Sequence, residues 1–252
     1  MRIAFVGDSL TEGIPGCSYF AILCERLPEH TLINLGKAND TVIRLYHRLT
    51  RLRIDEPFDI TVLWVGVNDV AGSTQWSFRA VNALLRNPRA TRPEEFRLKY
   101  QAVLEFLCRY ARRVIAVSPM LQGEDVANPQ NRRLEVLSRV IEDLVSQRPL
   151  AKTGVFCERA EFLDLRAVFA HKLAGRRISD YCSRSVIRIA LDALTLRSKE
   201  RIDGKAAERG LHFTLDGIHL NTAGAQIVAE VFMNAITSLA KPEGHRHTPT
   251  LT

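Results

Sequence analysis

Apolar residues fall into two kinds of run along the chain. Short, nearly unbroken ones occupy residues 3–6, 31–35, 60–65 and 114–117, with a weaker one at 161–165. Runs of this length, rich in β-branched and aromatic residues, read as strands. Their lack of apolar–polar alternation predicts burial on both faces. Between them lie stretches whose apolar positions recur at helical spacing. These are residues 18–27, 41–53 (Val42, Leu45, Leu49, Leu52), 94–110 (Phe96, Tyr100, Val103, Leu104, Leu107), 131–147 and 222–239. Strands alternating with helices predict βαβ units, and so an α/β fold. Its form is a three-layer α/β/α sandwich around a mainly parallel five-stranded sheet. A ligand in such a fold sits beyond the carboxyl ends of the strands.

Two stretches exceed this minimal alternation, at about 70–93 and at 171–213. Within the second, residues 184–199 read as an amphipathic helix. Val186, Ile187, Ala190, Leu191 and Leu194 form its apolar side; Arg184, Arg188, Asp192 and Lys199 form its polar side. No Gly/Ser-rich or Pro-rich linker divides the chain, so residues 1–240 are expected to form one domain carrying these two insertions. Residues 241–252 hold His245 and His247 among Pro242, Gly244 and Pro249. They read as a disordered tail rather than a metal site.

Composition narrows the class. Apolar residues make up 46% of the 252 and charged residues 25%, which suits a soluble globular protein. The first residues run straight into Ile3-Ala4-Phe5-Val6, too short for the apolar region of a signal peptide, and no apolar stretch is long enough to cross a bilayer. The five cysteines are scattered without C-x-x-C spacing and read as free thiols in a reducing compartment, so a cytoplasmic location is expected. The net charge of +7 is uneven: ten Lys/Arg face five Asp/Glu between Lys172 and Arg209. An anionic small-molecule partner is one reading of that excess. Nucleic acid is not expected, because the aromatic–basic interleaving and the helix-turn-helix or zinc signatures of the usual modules are missing.

Four segments carry candidate chemistry, each at an expected strand end or loop. Gly7-Asp8-Ser9-Leu10 follows the first strand, where Ser9 reads as a nucleophile or as a helix N-cap. Asn34-Leu35-Gly36 ends the second, and a glycine there brings backbone close to a ligand or simply terminates the strand. Gly66-Val67-Asn68-Asp69 follows the third, with Asn68 an amide donor or a turn residue. Asp216-Gly217-Ile218-His219 precedes the last helix, where a carboxylate three residues from an imidazole can fix its tautomer.

In this order the four segments resemble the conserved blocks of the GDSL esterases and lipases, also called SGNH hydrolases. The resemblance spans both ends of the chain. It implies a flavodoxin-like sheet and a serine ester hydrolase acting on a small or medium acyl ester. Ser9 would be the nucleophile, His219 the base, and Asp216 the residue orienting His219. The N–H groups of Ser9 and Gly36, with the side chain of Asn68, would form the oxyanion hole, and no cofactor or metal would be needed. Where the family's second block often carries another glycine, this chain has Asn39, a residue tolerant of left-handed backbone. An acyltransferase with a sugar hydroxyl as acceptor, and a non-catalytic polyanion-binding protein, are the alternatives. Of the remaining residues, His212 is a competing base, Cys17 and Cys24 are packing residues, and Trp64 belongs to the core. Trp76 and Phe78 are candidates for lining a pocket.

Overall fold

The computed structural model describes residues 1–74, 88–147, 157–183 and 185–240. Five strands form one sheet: β1 (Arg2–Gly7), β2 (Thr31–Gly36), β3 (Phe58–Trp64), β4 (Ala111–Val117) and β5 (Arg159–Leu163). Their order is β2-β1-β3-β4-β5, and every pairing is parallel. The three central strands are buried residue after residue near their C-terminal halves, whereas the edge strands β2 and β5 are only partly covered. That is the burial expected of a sheet covered by helices on both faces, and it explains the unbroken apolar runs.

Ten helices connect and cover the strands among the described residues: α1 (Ser9–Glu12), α2 (Tyr19–Arg26), α3 (Val42–Leu49), α4 (Val67–Thr74), α5 (Pro93–Cys108), α6 (Pro129–Ser146), α7 (Leu165–Leu173), α8 (Val186–Thr195), α9 (Lys199–Glu208) and α10 (Thr222–Ala240). Helix α2 packs on α10, while α3, α5 and α6 pack in succession. Phe5, Tyr19, Trp64 and Phe232 meet mostly edge-on, with centroids 5.2–6.4 Å apart, and join β1 and β3 to α2 and α10. Trp64 therefore lies in the core as expected, its indole N–H donating to Ser118 O.

Helix ends follow local chemistry. Thr41, Asn128 and Asp164 cap α3, α6 and α7 through their side chains, and Pro93 and Pro129 occupy first helical positions where no donor is wasted. The helix expected over 41–53 stops at Leu49, leaving Leu52 exposed. The amphipathic stretch 184–199 also divides. Ser185 caps α8, and Ser198 breaks the run and caps α9. Four elements escaped the periodicity: α1, α4, α7 and α9.

Sheet register sets up the site. Gly7 lies beside both Gly36 and Trp64, so β1, β2 and β3 end level. The segments that follow them, with Ser9, residues 37–41 and Asn68, leave from one edge, as the crevice rule anticipates.

Candidate active site

Chain direction changes sharply after β1. A Cβ on Gly7 would fall 2.3 Å from Thr11 Oγ1 and 2.4 Å from Trp64 O, so only glycine permits the approach. Asp8 then caps the one-turn helix α1, its Oδ1 accepting from Leu10 N–H at 3.0 Å. The two readings of this segment are thereby divided between neighbours: Asp8 is the cap, and the Ser9 hydroxyl is left for another partner. That partner is His219, whose Nε2 lies 3.0 Å from Ser9 Oγ.

His219 sits on a tight loop ahead of α10. Thr214 and Leu220 form an antiparallel bridge, Leu215 N–H donates to His219 O, and Gly217 turns the chain at φ +94°. Inside the loop, Asp216 Oδ1 accepts from the N–H groups of Ile218 and His219, and its Oδ2 lies 2.8 Å from His219 Nδ1. Ser9, His219 and Asp216, separated by up to 210 positions, thus form one continuous hydrogen-bonded row, all three buried.

The loop is held from behind by a residue that sequence reasoning missed. Glu124, 2% exposed, accepts His212 N–H on Oε2, and on Oε1 the N–H of Phe213 with both N–H and O–H of Thr214. Gly123 N–H donates to Gly217 O, and Ser183 N–H to Asp216 O. Nothing local to Glu124 marks it, since its partners lie 88–90 residues away.

Electrostatics follow from burial and pairing. Burial pushes the Asp216 carboxyl up, but the His219 charge, the ring N–H and two backbone N–H groups outweigh it and hold it below the usual carboxylate value. Burial pulls the His219 imidazole down, yet Asp216 and, more weakly, Asp8 and Asp192 raise it above the ordinary histidine value. The Asp8 carboxyl is pushed up to about 7, chiefly by burial. Asp69 is likewise pushed up to about 7; its two oxygens accept Val42 N–H and Ala90 N–H, tying the start of α3 to residue 90.

Two of the three expected oxyanion donors, Asn68 and Gly36, are engaged in different ways. The Asn68 amide donates one hydrogen to Asp40 O at 2.9 Å, and an amide nitrogen carries a second. The Gly36 N–H instead donates to Asn34 Oδ1 at 2.8 Å, while Asn34 Nδ2 donates to Thr11 O. A Cβ on Gly36 would lie 2.2 Å from Glu12 N, so this glycine serves close packing of β2 on α1. Asn39 does take left-handed backbone, at φ +64°. Asp40 pairs with Arg48, whose guanidinium also donates to Gly7 O and Leu35 O and so knits the ends of β1 and β2.

Other candidates fall elsewhere. His212 Nε2 meets Arg177 O rather than Ser9, so it does not compete as base. Cys17 is buried beside Thr222, but Cys24 is exposed on α2 and not a packing residue, because it follows Leu23 about 100° around the helix, away from the face that carries Tyr19 and Leu23. Trp76, Phe78, Arg184 and the histidine-bearing tail lie outside the described residues. Among the described residues, no group of three His, Cys, Asp or Glu side chains is placed to hold a metal ion, and no helix is long and apolar enough to cross a membrane.

The model of the GDSL-like lipase/acylhydrolase family matches residues 5–227. The chain belongs to that family. It is accordingly a carboxylic ester hydrolase. No curated protein sequence matches it. Its fold is shared with solved structures of low identity. An acetylxylan esterase from Geobacillus stearothermophilus is 17% identical with a TM-score of 0.65, over 96% of this chain and 94% of that one. A further acetyl xylan esterase is 22% identical with a TM-score of 0.62, over 94% and 100%. An α/β hydrolase enzyme from the metagenome of Lake Arreo, Spain, is 18% identical with a TM-score of 0.63, over 95% and 96%.

Proposed function

We propose that this GDSL-family hydrolase cleaves a small or medium acyl ester through a covalent acyl-enzyme on Ser9. The observation that carries the reading is the buried row Ser9 Oγ–His219 Nε2 and His219 Nδ1–Asp216 Oδ2, at 3.0 and 2.8 Å. A serine hydroxyl is a weak nucleophile until a base removes its proton, and the base must present a lone pair toward it. Asp216, accepting from Nδ1–H, fixes the tautomer that leaves Nε2 free to accept.

Ser9 Oγ attacks the acyl carbonyl while its proton passes to His219 Nε2. The carbonyl oxygen becomes an oxyanion, met by the Ser9 N–H and the second amide hydrogen of Asn68. Collapse breaks the ester bond, and the leaving alkoxide takes the proton from His219. Water then gives a proton to His219 and attacks the acyl-serine, releasing the carboxylic acid and restoring Ser9. Gly36, whose N–H is engaged by Asn34, holds the wall of this site rather than the oxyanion. Asp216 stabilises the imidazolium at each transfer without taking the proton itself.

The acetylxylan esterases among the proteins of like fold favour acetyl as the first acyl group to test. Hydrolysis of p-nitrophenyl acetate through octanoate, by wild type and by Ser9→Ala, Asp216→Asn and His219→Ala, tests the reading. Ser9→Ala and His219→Ala should lose nearly all turnover while folded, and the chain-length profile sizes the acyl pocket. A folded Ser9→Ala protein that keeps wild-type turnover refutes the nucleophile. Product that forms only with an added sugar acceptor replaces hydrolysis with acyl transfer.

A further inference from the structure

Helix α8 faces the opposite way from its sequence pattern. The sequence puts Val186, Ile187, Ala190, Leu191 and Leu194 on the apolar side of this helix and Asp192 on its polar side. In the fold Asp192 is buried, its carboxylate 2.8 Å from the Arg209 guanidinium. Ile187, Leu191 and Leu194 stand 74%, 54% and 64% exposed. Their spacing places them along one stripe on the solvent side of the helix, with Ala190 also exposed beside them. Single exposed aliphatic residues are ordinary, but an aligned stripe on a strongly amphipathic helix is not.

We propose that α8 is a docking surface for an anionic lipid membrane. Charge selects this occupant. Arg188 flanks the stripe, and Arg197, Lys199 and Arg201 follow it, all exposed. An apolar stripe bordered by long basic side chains matches a helix lying in the plane of a lipid interface. The aliphatic residues enter the acyl boundary and the guanidinium and ammonium heads reach the phosphates. A second copy of this chain is disfavoured, since a two-fold contact would join two faces of the same basic charge.

Placement gives the surface a consequence. The residue two before the α8 cap region, Ser183, donates its N–H to Asp216 O at 2.8 Å. At the other end, Arg209 pairs with Asp192 and donates to Leu215 O at 2.9 Å. Two polar links therefore join the docking helix to the loop that carries Asp216 and His219, so docking would hold the catalytic loop at the lipid surface. Vesicle binding is measured without turnover and so stands apart from the ester-hydrolase reading, on which only the consequence for the loop rests.

Co-sedimentation of the full chain with phosphatidylcholine vesicles, with and without phosphatidylglycerol, tests it. Wild type should bind the anionic vesicles at least about tenfold more tightly than the neutral ones, and added salt should weaken the binding. Ile187→Asp/Leu191→Asp/Leu194→Asp should lose binding at least about tenfold. Arg188→Glu/Arg197→Glu should lose about fivefold for each charge removed. Both variants should keep wild-type turnover of p-nitrophenyl acetate. Hydrogen exchange on wild type reads the same face without substitution, and vesicles should protect residues 186–197. No binding by wild type, full binding by the stripe variant, or vesicle protection confined to other segments overturns the proposal. So does light scattering that finds a wild-type dimer and a monomeric stripe variant, which would give the face to a second copy.

Discussion

Replacing Glu124 should damage catalysis without touching any group that meets substrate. Its carboxylate accepts four hydrogen bonds from residues 212–214, at 2.7–2.9 Å, and three of the four are fully buried. Glutamine keeps one oxygen for the Phe213 and Thr214 donors but turns an NH2 group toward His212 N–H, donor against donor. That change removes one charge-assisted bond and strands one donor, a loss of about 2–4 kcal/mol. Alanine strands all four donors at about 1–3 kcal/mol each, which approaches the whole ~5–15 kcal/mol stability of a domain. Glutamine is therefore the informative variant. The segment it loosens leads two residues later into Asp216, and a 1 Å misplacement of a catalytic group costs about 10²-fold. Glu124→Gln should lower kcat for p-nitrophenyl acetate by about tenfold or more, leave KM nearly unchanged, and lower the urea midpoint. A variant with wild-type kcat and a midpoint shift worth less than about 0.5 kcal/mol would refute the anchoring role.

The same geometry sets two pH dependences. His219 must be neutral to accept the Ser9 proton, and Asp216 raises it above the ordinary 6.5, so kcat/KM should rise with pH through a midpoint above 6.5. Asp216→Asn should move that midpoint down while lowering the rate; an unmoved midpoint would contradict the pairing. Asp8 carries the opposite stability sign from a salt-bridged carboxylate. Its folded value of about 7 lies above the ordinary 3.8, so the folded state holds a proton that the unfolded chain releases, and stability falls as pH rises from about 4 to about 7. Asp8→Asn abolishes that proton uptake, so its stability relative to wild type should grow by roughly 3 kcal/mol between pH 5 and pH 8. A difference that stays constant with pH would show that burial does not raise Asp8. Asn68→Ala should lower kcat by about 10²–10³-fold if its second amide hydrogen meets the oxyanion, and an unchanged kcat would remove it from that role.

The sequence by itself determined the layer order and the candidate residues. Apolar runs such as Ile3–Val6 and Val114–Val117 are dictated by burial on two faces, and the spacing of Phe96, Tyr100, Val103 and Leu107 by burial on one face of a helix, so both were legible from periodicity. Ser9, Asn68, Asp216 and His219 were legible because each lies in a short segment next to a strand end or the last helix. Only the tertiary structure decided which partner each polar group takes. It gave the cap of α1 to Asp8 and the hydroxyl of Ser9 to His219, engaged the Gly36 N–H with Asn34, and placed Glu124 behind residues 212–214. It also turned α8 around, burying Asp192 against Arg209 and leaving Ile187, Leu191 and Leu194 outside. The physical reason is common to these cases. Periodicity records how much apolar surface a segment carries, whereas a buried polar group must find a partner anywhere in the fold. For Ser9, Glu124 and Asp192 that pairing is settled by contacts 17 to 210 residues apart that no local pattern encodes.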